Sequence, residues 1–181
     1  GQDAFGIGNY VEKTRDGNPQ EAIYLLDISS SMNKQNKLQL ASAALKDAVK
    51  MLKADDQFNL ITFDANIQLY SKKLLNATPE NISTACRFLN QLKNGAGTNL
   101  STAIEEGLKL APSTLVVVSD GDPSRGIQDP QQIRRMVRQW NISQTRIMTI
   151  ALGNDHSDGG VRLLQQLAND HNGQTLLISL K

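Results

Sequence analysis

The stretch LLDISSSMNKQNKL, residues 25–38, decides how this chain is read. An apolar run ends at the carboxylate of Asp27, and three serines follow at once, Ser29, Ser30 and Ser31. An amide- and lysine-rich segment comes next. From it, apolar residues recur at Leu38, Ala41, Leu45, Ala48, Val49 and Leu52. Spacings of three and four give a helix with one apolar face. The stretch is therefore a buried strand that turns through hydroxyls into a helix.

Working outward, the strand is AIYLLDI (22–28), and four more apolar or β-rich runs follow: FNLITFD (58–64), TLVVVSD (114–120), RIMTIAL (146–152) and QTLLISL (174–180). The short alternating piece NIQLY (66–70) predicts an edge strand. LVVV is continuous and β-branched, as in a strand buried on both faces. Helical patterns lie between the runs. Pro79 and Glu80 open a helix to about Leu92, and Thr98 or Asn99 caps another to Leu110. Further helices are expected near Pro130–Trp140 and Asp158–Ala168. Strand and helix alternate. This predicts an α/β fold: a doubly wound, mostly parallel sheet with one short antiparallel edge strand and helices on both faces. Residues 1–20, rich in Gly, Asn, Asp and Pro, read as a lead-in, and 21–181 as one domain.

A chain of 181 residues can bury a sizeable core. Its 39% hydrophobic and 20% charged residues are those of an ordinary globular protein. A formal net charge of +1 argues against a protein built to grip nucleic acid. The densest basic cluster, Arg134, Arg135 and Arg138, reads as a solvated helix face. The single Cys86 lies among apolar residues at helical spacing and reads as a buried structural thiol. No apolar run approaches the roughly 20 residues of a membrane span. GQDAFGIGNY at the start has no initiator Met, so the chain reads as a piece of a larger one.

Ligands of doubly wound sheets bind outside the carboxyl ends of the strands. Here those ends are DISSS and SDGD, and the glycine-rich loop NGAGTNLS precedes the third helix. In D-x-S-x-S, Asp27, Ser29 and Ser31 can turn towards one spot, joined by Thr98 and Asp120. Neutral hydroxyls with a few carboxylates are hard oxygen donors, suited to Mg²⁺, Mn²⁺ or Ca²⁺ rather than zinc. Such a set does not fill or neutralise an octahedral ion. It leaves a position for a carboxylate from outside.

DISSS, GAGTNL and VVVSDG together resemble the von Willebrand factor type A family, over roughly residues 21–180. The resemblance implies a metal-ion-dependent adhesion site at Asp27, Ser29, Ser31, Thr98 and Asp120. It implies that the hydroxyls touch the ion directly, that the aspartates often act through water, and that a protein partner supplies the acidic group. Ser30 stands where many members have Gly. Met32 and the lead-in AFGIG are more similar to bacterial members than to integrin-type domains. The expected function is cation-dependent adhesion or assembly, not catalysis, with an extracytoplasmic or membrane-tethered setting favoured.

Two other readings compete. A haloacid dehalogenase-type phosphatase would use Asp27 as nucleophile beside Mg²⁺, but that chemistry commonly wants a second carboxylate two residues on, and Ser29 is there. A scaffold with no role for a metal is the other. GAGTNL lacks the G-K-[ST] of a phosphate loop, and GIGNY lacks the later glycine of a dinucleotide fingerprint. His156, between Asp155 and Asp158, reads as a polar surface loop and His171 as a turn residue. Arg125 is a possible contact for an acidic partner. Asn76, Asn81, Asn99 and Asn141 each begin an N-x-[ST] triplet.

Overall fold

Every long apolar run forms a strand in the computed structural model, which describes residues 17–154 and 158–180. The strands are β1 (Glu21–Asp27), β2 (Gln57–Phe63), β3 (Ile67–Leu69), β4 (Leu75–Asn76), β5 (Thr114–Ser119), β6 (Arg146–Gly153) and β7 (Thr175–Ser179). Five helices accompany them among the described residues: α1 (Lys37–Lys50), α2 (Pro79–Asn90), α3 (Leu100–Lys109), α4 (Pro130–Trp140) and α5 (Gly159–Asp170). A 3₁₀ segment, Ser30–Asn36, links β1 to α1. The strand order is β3-β2-β1-β5-β6-β7, with β4 also paired to β2. β1, β2, β5, β6 and β7 run parallel, while β3 and β4 are antiparallel to β2.

The expected edge strand is therefore present, and a second, two-residue one accompanies it. LNAT around β4 does alternate apolar and polar residues, but over only four positions. Only the pairing of Gln57 with Asn76 and of Phe58 with Leu75 makes it a strand.

Successive residues of β1 serve opposite faces, as the period of two requires. Tyr24 and Leu26 pack with Leu45, Val49 and Leu89, under α1 and α2. Ile23 and Leu25 pack with Ile104, Ile133 and Leu164, under α3, α4 and α5. Both sides of β1 and β5 are thus covered, which is why their sequences are unbroken apolar runs. Cys86 is half-buried rather than fully buried, and partial burial raises its thiol pKa, so it is a poor nucleophile. Arg134 and Arg138 are not merely a solvated face. Both reach Asp170, at 2.8 and 3.1 Å, tying α4 to the end of α5, while Arg135 is exposed. The lead-in lies mostly outside the described residues, as does His156.

After β1 the chain winds outward to β2 and its hairpin, then returns to lay β5 on the other side of β1. The direction of winding reverses between β1 and β5. In doubly wound sheets, such a switch at the carboxyl ends of two strands is where ligands bind.

Candidate functional site

Asp27 is the last residue of β1, and Asp120 follows the last residue of β5. Parallel pairing of Leu26 with Val118 brings the two strand ends side by side. Asp27 is 0% exposed. Its Oδ1 accepts the Ser29 amide at 2.8 Å and its Oδ2 accepts the Ser119 hydroxyl at 2.7 Å. The first contact turns the chain sharply, so that Ser29 and Ser31 point the same way with their Oγ atoms 2.9 Å apart. The second fixes β1 to β5, and the Gly121 amide closes the turn by donating to Ser119 Oγ at 2.8 Å. Ser30, the departure from the family pattern, is exposed and points away from this pair.

The glycine-rich loop is fastened to the same spot. Gly95 N donates to Ile28 O at 2.7 Å and Asn94 Nδ2 to Ser29 O at 3.0 Å. Asp64, at the end of β2, accepts the Ala96 amide, and its carbonyl accepts the Asn99 amide. Thr98 is 5% exposed. Its amide donates to Ser124 Oγ at 2.9 Å, and its carbonyl accepts the Ser124 and Arg125 amides. Thr98 thus joins the other four residues through its loop, without a side-chain hydrogen bond to any of them. Gly121, at φ +90°, occupies a backbone region closed to most side chains, and a Cβ there would lie 2.4 Å from Gly160 O. The loop after β5 can press against α5 only because of it.

The electrostatics are those of crowded carboxylates. Burial, and then the neighbouring charge of Asp120, push Asp27 from 3.8 up to about 6, against the lowering effect of its hydrogen bonds. Burial, with Asp158 and Asp120 nearby, also raises Asp122. Lys37 Nζ stands 3.6 Å from Asp120 Oδ2. Among the described residues no three His, Cys, Asp or Glu side chains gather at one point. The oxygen atoms here are two carboxylates and hydroxyls, a donor set that fits a hard dication and not zinc. The five residues expected from the sequence therefore share one edge of the sheet. Sequence reasoning passed over Lys37, Asp64, Asn94, Ser119, Asp122 and Ser124. Ser119, Asp122, Asn94 and Asp64 had left a signal, as members of the quoted SDGD, NGAGTNLS and FNLITFD segments.

A profile of the von Willebrand factor type A domain matches residues 20–176. The chain belongs to the von Willebrand factor type A domain family. Among curated relatives, it is 25% identical over 177 residues to inter-alpha-trypsin inhibitor heavy chain H2 of Sus scrofa, covering 91% of this chain and 18% of that one. It is 28% identical over 168 residues to the human heavy chain H2, covering 86% and 17%. The chain thus spans less than a fifth of the length of these relatives. Among solved structures, it superposes on a von Willebrand factor type A protein from Catenulispora acidiphila with TM-score 0.74 at 18% identity, covering 89% of this chain and 39% of that one. BatB from Bacteroides thetaiotaomicron gives 0.66 at 18% identity, covering 88% and 90%. The same fold therefore occurs in bacteria and, among curated relatives, in mammals. Type A domains are generally protein-interaction modules, and these relatives are named as inhibitor heavy chains rather than enzymes.

The remaining motifs find other uses. Asn99 caps α3 by accepting the Thr102 amide, and Asp158 caps α5 by accepting the Gly160 amide. His171 lies at a turn, as expected, yet is only 8% exposed, with Nδ1 against Asn141 Nδ2. Arg125 is exposed beside the Thr98 loop.

Proposed function

We propose that this domain binds a divalent cation on Asp27, Ser29, Ser31, Thr98 and Asp120, and that the ion takes an acidic group of a protein partner as a further ligand. Mg²⁺ is the default, with Mn²⁺ or Ca²⁺ as alternatives. The observation that carries this reading is the pair of serine hydroxyls 2.9 Å apart beside a fully buried carboxylate, at the point where the winding of the sheet reverses. The ion would supply a Lewis-acidic position that the hydroxyls neither fill nor neutralise. The residues of the chain do the rest. Ser29, Ser31 and Thr98 offer oxygens without charge. Asp27 and Asp120 would hold the ion's waters, and Ser119 and the Ser29 amide keep Asp27 in its orientation. The exposed Arg125 adjoins the Thr98 loop and would favour an acidic partner.

Both oxygens of Asp27 are engaged as acceptors, and Ser29 stands where a phosphatase would want its acid–base carboxylate. Adhesion or assembly is therefore favoured over phosphoryl transfer. The bacterial-type branch is our reading from the resemblance that Met32 carries. An extracytoplasmic or membrane-tethered setting within a larger chain agrees with the share of the relatives covered and with a structural neighbour titled an aerotolerance-related membrane protein. No described helix is long and apolar enough to cross a membrane.

Thermal melts in Mg²⁺ or Mn²⁺ against chelator test the reading. At about 100 times the dissociation constant, an ion that binds only the native state adds roughly 2.7 kcal/mol. No shift at any metal concentration, with partner binding intact, would instead favour the metal-independent scaffold.

A further inference from the structure

Lys37 opens α1 with a positive charge, where the helix dipole disfavours one, and its side chain is only 13% exposed. No acidic residue of α1's first turn accompanies it. A lysine pays both penalties only where something else attracts it. That attraction comes from the other side of the sheet switch. Asp120 Oδ2 lies 3.6 Å from Nζ, with its own side chain 11% exposed. At 3.6 Å the contact is a charge interaction, too long for a tight hydrogen bond, so the ammonium is held by the field of the carboxylates and not by one fixed partner.

We propose that Lys37 is the built-in counter-charge of the cation site: it partly neutralises Asp120 and sets how weakly a divalent ion is held there. The inference rests on the cation-binding reading above. A dication held through Asp120 comes close to the ammonium in a poorly screened crevice, so their repulsion subtracts directly from affinity. The same ammonium stabilises the fold without the ion, because it is the positive charge beside the largely buried Asp120 carboxylate. Lys37 thus trades ion affinity for ion-free stability. It also reserves some of the attraction at the site for an incoming anion.

The test is Mn²⁺ titration of wild type, Lys37→Met and Lys37→Arg, with melts of each in chelator. Lys37→Met keeps most of the stem volume and removes the charge. It should bind Mn²⁺ about tenfold more tightly and melt lower in chelator. Lys37→Arg keeps the charge and should stay within about twofold of wild type. Lys37→Gln, which retains a polar contact with Asp120, serves if the methionine variant does not fold, and should shift affinity in the same direction. Wild type that binds Mn²⁺ while the neutral variants bind it equally or more weakly would overturn the counter-charge role. Wild type that binds no Mn²⁺ would overturn the reading of the site itself, and this inference with it.

Discussion

Asp27→Asn separates the two roles of the buried carboxylate, which are to hold an ion and to burden the fold. Asp27 is 0% exposed, and its pKa rises from 3.8 to about 6 because burial and the Asp120 charge disfavour ionisation. The sign follows from that direction. Below pH 3.8 the group is neutral in both states and costs nothing. As pH rises through about 6, the folded protein must carry a buried charge, and stability is lost. The full cost of raising the value from 3.8 to about 6 is ~3 kcal/mol. Asparagine removes it. Its Oδ1 can still accept the Ser29 amide, and its Nδ2 can donate to Ser119 Oγ, at a loss of about 1 kcal/mol for one rearranged hydrogen bond. Without metal at pH 7.5, the variant should therefore be the more stable by ~2 kcal/mol, the remainder of these two terms. Near pH 4 the variant's advantage should be gone, leaving wild type the more stable by up to about 1 kcal/mol. Saturating Mg²⁺ should reverse the order at pH 7.5, because only the wild type gains. Urea unfolding at both pH values, in chelator and in Mg²⁺, measures all four stabilities. A variant less stable than wild type in chelator at pH 7.5, or a difference that ignores pH, would refute the argument.

Thr98→Ala removes a neutral donor that makes no side-chain bond to the other four residues, so circular dichroism should show a folded domain destabilised by about 1 kcal/mol or less, while calorimetry should show metal binding largely lost. Gly121→Ala places a Cβ 2.4 Å from Gly160 O at φ +90°, and should cost about 2 kcal/mol or more in urea unfolding, with the Asp120 loop displaced from α5. Arg134 grips Asp170 through two bonds at 2.8 and 2.9 Å and holds its carboxyl below 3.8. That contribution is present above pH 3.8 and fades as pH falls through the depressed folded value. Arg134→Ala should therefore lose ~1 kcal/mol at neutral pH and less in acid, read from urea midpoints.

Much of this was legible in the sequence because the signals were local. Unbroken runs such as LVVV reported burial on both faces, and Pro79 and Pro130 marked helix starts to the residue. The five candidate residues stood out because D-x-S-x-S, G-T-N and S-D-G fall at loops of one sheet edge. What stayed hidden were relations across the chain. LNAT alternates over too few residues to announce β4, which exists only through its pairing with β2. Arg134 and Asp170 are far apart in sequence, so their grip could not be read from a helix face. Lys37 looked like one of several lysines at a helix start until β5 brought Asp120 to it. Cys86 has an apolar-looking neighbourhood, yet its position on α2 leaves it half-buried.

The central claim is that one ion sits among named oxygens. Crystals grown or soaked with Mn²⁺ and measured at a wavelength where manganese scatters anomalously locate it without any assumption about function. The account predicts a single strong anomalous peak at the carboxyl ends of β1 and β5, within coordination distance of the Ser29, Ser31 and Thr98 hydroxyls, with Asp27 and Asp120 reached directly or through water. A peak elsewhere on the domain, or no peak at Mn²⁺ concentrations that leave the crystals intact, would contradict it.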